Sequence, residues 1–185
     1  MKLKLLVAML LAVFAAGIPL YSQDVDIEKM EGYVNIDNII IPADAREITE
    51  INLGPGMLNM LKKVSDDDGA VSQFSGLFSI QIKAFEISAG KISEIKTVMK
   101  KIEDKLDSEK WENIVRVNHE DQYTIVSMLV KGDKSLGTMI MSIDNDGEVV
   151  LANIVGNLNV EKLAEFGLGL DDSTMNQLRE GWDRF

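Results

Sequence analysis

The sequence predicts an α+β domain: a mainly antiparallel sheet of about five to six strands with helices packed on one face. Three observations predict it. Four β-rich runs between Trp111 and Val155 are separated only by tight polar turns, a hairpin signature. Stretches with apolar residues at helical spacing flank those runs on both sides. No repeat at solenoid spacing interrupts the order β-α-α-β-α-β-β-β-β-α-α.

The first residues belong to none of these elements. Lys2 and Lys4 precede LLVAMLLAVFAAGI and a polar exit at Tyr21–Ser22–Gln23. A basic start, an apolar stretch and small residues near a cut read as a secretory signal peptide over residues 1–22. The cut follows Ser22 or, alternatively, Gly17. The rival is an uncleaved anchor, but the apolar run from Leu5 to Leu20 contains Gly17 and Pro19. It is also shorter than the roughly twenty residues a spanning helix needs. The expected location is therefore periplasmic or secreted, with no transmembrane segment after cleavage. Residues 23–46 form an acidic lead-in in which Ile39–Ile41, ended by Pro42, fits an edge strand or an arm laid across the domain. Residues 47–185 form the single α+β domain.

Within that domain EITEINL reads as a strand, with Ile48, Ile51 and Leu53 as its apolar residues. Gly54–Pro55–Gly56 is a turn, followed by the helical spacing of Met57, Leu58, Leu61 and Val64. Ser65–Asp68 is a break that caps a helix over AVSQFSGLF. SIQIKAFEI alternates as a second strand, Ile80 and Ile82 against Gln81 and Lys83. The clearest helix covers roughly residues 93–108. Ile92, Ile95, Met99, Ile102 and Leu106 form its stripe, and Lys96, Lys100, Glu103 and Asp104 cover the rest. The meander WENIVRVN, YTIVSMLV, LGTMIMSI and EVVLANIV follows, then helices over VEKLAEFG and TMNQLREGWDRF.

Composition narrows the function classes. The first 22 residues carry two lysines and no acid, so a net charge of −11 for the whole becomes −13 once they are removed. That balance argues against DNA, RNA or an anionic lipid surface as partner. With no cysteine there is no disulfide, thiol nucleophile or lipidated N-terminal Cys.

Four segments, EINLGPGMLNMLKKV, SIQIKAFEI, WENIVRVN and VVLANIVGNLNVEKLAEF, together resemble a family of small exported Bacteroidetes-type proteins, domain of unknown function forty-two fifty-two. Asn153–Ile154–Val155–Gly156, followed by Asn157–Leu158, is the most specific part, and the resemblance spans roughly Glu47 to Phe166. It implies an exported envelope protein. It carries over no catalytic residue.

No constellation in the sequence points to catalysis. His119 is the single histidine, and Tyr123 stands where a zinc-protease helix would place a second. Asp144–Gly147 looks like part of a calcium loop, but Asn153 would fall at the bidentate glutamate position, and a hairpin turn explains the residues. Asp66–Asp68 reads as capping and solvation, and Gly54–Gly56 as a strand-to-helix turn. No metal site, cofactor or catalytic set is expected. Ten methionines fill the core or line an apolar cleft. Met175, Leu178, Trp182 and Phe185 share one face of the last helix and form the candidate interaction face. The leading expectation is a non-enzymatic binding or protein-interaction domain of the cell envelope. The alternatives are a periplasmic carrier of a hydrophobic ligand or a small carboxylate-dependent hydrolase.

Overall fold

The structure, a computed structural model, describes residues 26–37, 39, 41–64, 74–119 and 122–158. The signal stretch 1–22, the start of the lead-in, Asp66–Asp68 and the helices expected over residues 160–185, with Met175, Leu178, Trp182 and Phe185, lie outside the described residues.

Six strands form one sheet: β1 (Arg46–Leu53), β2 (Leu77–Glu86), β3 (Glu112–Asn118), β4 (Gln122–Lys131), β5 (Lys134–Asp144) and β6 (Glu148–Gly156). The spatial order is β1-β2-β6-β5-β4-β3, with every neighbouring pair antiparallel. The expected meander is therefore β3 to β6, and β2, with β1 outside it, adds to its β6 edge. Turn chemistry sets the registers. Lys131 pairs with Lys134 across a two-residue loop whose first residue, Gly132, has φ 66°, the position a type II′ turn gives to glycine. At the next turn Gly147 has φ 85°, and the Asp144 carboxylate accepts the Glu148 N–H at 2.9 Å.

Two helices are described: α1 (Pro55–Val64) and α2 (Ile92–Ser108). The Leu58 N–H bonds to the Gly54 carbonyl at 3.0 Å, so the Gly-Pro-Gly turn passes directly into α1. At the other end of α2, Lys110 takes φ 66° while the Trp111 N–H reaches back to the Leu106 carbonyl and the Lys110 N–H to Asp107. This is a Schellman stop, and Leu106 and Trp111 share one core beside it.

The helices do not share a face, contrary to expectation. Strand alternation sends Ile140, Ala152 and Ile154 to one side, with Leu58 of α1. It sends Met139, Met141 and Leu151 to the other, with Ile95 and Met99 of α2. An amphipathic stripe says that a helix is buried on one side; it does not say against which side of the sheet. α1 packs on β1 and β2, whereas α2 lies over β3, β4 and β5.

Three further expectations shift. Phe74–Gly76 is a turn and Leu77–Phe78 already belongs to β2, not to a helix, because Leu77 and Ser79 pair with Gly156 and Val155 of β6. Ile48 is exposed, beside a register shift between Arg46 and Thr49 where Glu47 takes φ 49°. Glu103 does not cover the outer side of α2 but is wholly buried.

Candidate functional site

The described residues between 26 and 45 run across the α2 face of the sheet as an arm. Ile36 is buried, and Val34, Ile39 and Ile41 pack against the same core as α2. What seats the arm is Asn153, in the middle of β6. Its Oδ1 accepts the Val34 N–H at 3.0 Å, and its Nδ2 donates to the carbonyls of Gly32 at 3.0 Å and Thr138 at 3.3 Å. A buried amide that satisfies two backbone groups of a passing segment fixes that segment's place along the sheet. The arm also lies so close to β5 that a Cβ on Gly137 would fall 2.5 Å from the Gly32 Cα, so two backbones meet there without side chains between them. Next to this seat Lys83 of β2 pairs with Asp37 of the arm and Glu50 of β1, both at 3.1 Å. Burial pulls the Lys83 ammonium down, but the bonds from Asp37 and Glu50 outweigh it and hold its pKa above the usual lysine value.

Beneath the other half of the face, Glu103 of α2 points inward. Its Oε1 takes the Arg116 guanidinium and the Asn113 amide at 3.2 Å; its Oε2 takes Lys100 at 3.3 Å and the Tyr123 hydroxyl at 3.4 Å. An ionised carboxylate offers about four acceptor positions, and four donors occupy them. The Ser127 hydroxyl extends the network by donating to Asn113 Oδ1 at 2.6 Å, and Asp107 accepts from Asn113 Nδ2 at 3.2 Å. Burial, then the nearby Glu103 charge, raises the Tyr123 phenol above its ordinary value. Paired bonds to Asp104 and Glu103 raise Lys100. Glu103 and Asp107 share one amide, so two acids do converge here. But the buried carboxylate has no acceptor position left for a substrate proton, and the network ties α2 to β3 and β4.

The arm and α2 leave a groove of about 550 Å³ between them. Val34, Asn35, Ile39 and Pro42 line it from the arm, and Ile95, Val98 and Ile102 from α2. Lys101 and Lys105 stand at its rim towards the C-terminal end of α2, with Glu94 near the N-terminal end. Glu94 is engaged by Lys91 at 2.8 Å, and Lys105 reaches Glu109 only at 3.8 Å. An apolar floor with a few polar groups at the margin is the usual composition of a small-molecule site. A smaller hollow of about 440 Å³ lies at the sheet end between Phe78, Leu136, Ser135 and Asn157. There the Asn157 side chain accepts the Ser135 N–H at 3.3 Å.

The residues singled out from the sequence have plain structural places. His119 is exposed, and its N–H bonds to the Gln122 carbonyl at 2.8 Å across the β3–β4 turn. Asp144–Gly147 forms the β5–β6 turn. Among the described residues no group of three or more His, Cys, Asp or Glu side chains is placed to hold a metal ion. Met99, Met139 and Met141 are core residues. The sequence offered Ile39 and Pro42 as part of an arm and Ile95 and Ile102 as a buried helix stripe, but gave no sign that they meet in a groove or that Lys83 and Glu103 act as clasps; Asn153 stood only in the segment that carried the family resemblance. Among the described residues no helix is long and apolar enough to cross a membrane.

A family model described as "Domain of unknown function (DUF4252)" matches residues 43–166, from within the arm to beyond β6. No curated protein and no solved structure matches the chain.

Proposed function

This chain belongs to the DUF4252 family of domains of unknown function, and from that premise we propose that it is an exported, non-enzymatic binding domain whose apolar or amphiphilic ligand lies between the arm and α2. The groove of about 550 Å³, floored by six apolar side chains, carries this reading. Two further observations support it. The arm is held by directed bonds to Asn153 and Lys83, so one wall of the groove has a fixed position. The Glu103 carboxylate is saturated by its own donors, which favours binding over a carboxylate-dependent hydrolase. Export rests on the basic and apolar leader over residues 1–22.

Titration with the fluorescent apolar probe N-phenyl-naphthylamine tests the reading. The folded protein is expected to bind it saturably. Val98→Asp, which places a charge in the floor, should abolish binding while the near-ultraviolet circular dichroism stays native. Asn59→Asp, on α1 across the sheet, should leave binding unchanged. Probe binding that survives Val98→Asp places the ligand elsewhere.

A further inference from the structure

We infer that the groove takes a single-chain amphiphile with an anionic head group, head at Lys101 and Lys105 and tail along Val98, Ile95 and Pro42. The inference rests on the binding reading above and adds an orientation and a chemical class. Lys101 and Lys105 are one helical turn apart on α2, so their ammonium groups flank the same end of the groove. Among the described residues Lys101 has no ion-pair partner, and the Glu109 contact of Lys105 is long and exposed. Glu94 at the opposite end is already neutralised by Lys91, and its bond raises the Lys91 pKa. The groove thus has a cationic end, an apolar middle and an end with no free positive charge. From Glu94 to Lys105 the helix advances about 16 Å, room for an extended alkyl chain.

The net charge, −11 for the whole sequence and −13 without residues 1–22, decides the source. A protein of that charge is repelled by an anionic bilayer over the range of a Debye length. A lone amphiphile entering the groove meets the two lysines locally. The ligand is therefore a free monomer, and the head group is a carboxylate or a phosphate monoester, both matched by paired ammonium donors.

Displacement of the bound naphthylamine probe by dodecanoate, dodecyl phosphate and dodecanol tests this. The two anions should displace it about tenfold more effectively than the alcohol, as expected for two exposed ion pairs. Added salt should narrow the gap. Lys101→Glu with Lys105→Glu, both on exposed positions that leave the core untouched, should remove the preference. Equal displacement by alcohol and anions overturns the head-group assignment while leaving the apolar-ligand reading standing. Failure of the probe itself to bind overturns both. The protein should not sediment with phosphatidylglycerol vesicles. Sedimentation abolished by the double charge reversal would make the membrane, not a free monomer, the source and overturn the inference.

Discussion

The two faces of the sheet are built on different principles. The α1 face is closed by aliphatic side chains: Leu58, Ile80, Ile82, Val126, Ile140 and Ile154. Its buried polar groups among the described residues, Thr138 and Thr124, the latter bonded to Ser142 at 2.8 Å, lie within the sheet and tie no other segment to it, and apolar burial is non-directional. The α2 face mixes methionine and aromatic residues, Met99, Met139, Met141, Phe85, Trp111 and Tyr123, with polar groups sunk among them. Glu103, Asn153 and Lys83 each tie one segment to the sheet: α2, the arm, and the arm again. Hydrophobic contact brings segments together; hydrogen bonds fix where along the sheet they stop. The face that must position two separate segments around a groove is the one whose buried polar groups reach out of the sheet to hold them.

The sharpest way to break this contrast is to damage each face in turn. Ile140→Ala hollows the α1 face, and chemical denaturation should report a loss of about 3 kcal/mol. Hydrogen exchange at the Val34 amide and probe affinity should be unchanged under native conditions. If both shift in step with stability, the faces are not separable.

Asn153→Leu does the reverse. It keeps volume but leaves the Val34 N–H and the Gly32 carbonyl without their partner, a cost of about 2 kcal/mol. The loss should appear as faster exchange at Val34 and weaker probe binding before it appears as global unfolding. An arm that stays protected in this variant would mean that apolar packing of Ile36 and Val34 seats it unaided.

The smallest effect separates the faces by pH. The folded-state pKa of Lys83 lies above its unfolded value. Its stabilising contribution is complete below pH about 10.4 and fades as the pH rises through the folded value. Tyr123, also raised, works in the same direction because the unfolded phenol ionises first. With Asp37 and Glu50 more than half exposed, solvent screening keeps the Lys83 share under about 1 kcal/mol. Alkaline titration should loosen the arm of the native protein, and Lys83→Met should flatten that part of the profile.

These contrasts mark what the sequence discloses. The meander was legible because Gly132 and Asp146–Gly147 announce their turns locally. α2 was legible to within a residue because its stripe is long. The buried polar groups were not. Gln81 and Lys83 alternate with Ile80 and Ile82 as a solvent-facing set should, yet the arm covers that side and all four are buried. Glu103 sits among lysines and acids on α2 and reads as surface until Arg116, thirteen residues on, supplies its counter-charge. Such groups depend on partners far along the chain, and periodicity carries no information about them. Asn153 came nearest to notice, as part of a specific segment whose physical reason appears only when the arm lies across it.

The seat of the arm also orders events in time. Gly32 and Asn153 are 121 positions apart, and the backbone contact at Gly137 depends on β5 being in place. A ribosome delivers the arm first and its anchoring amide near the end of the sheet. The arm emerges before every strand of the sheet and is thus the last of these segments for which a docking place exists. Closing so long a loop requires the sheet to form beforehand, so the arm stays undocked until β5 and β6 are in place.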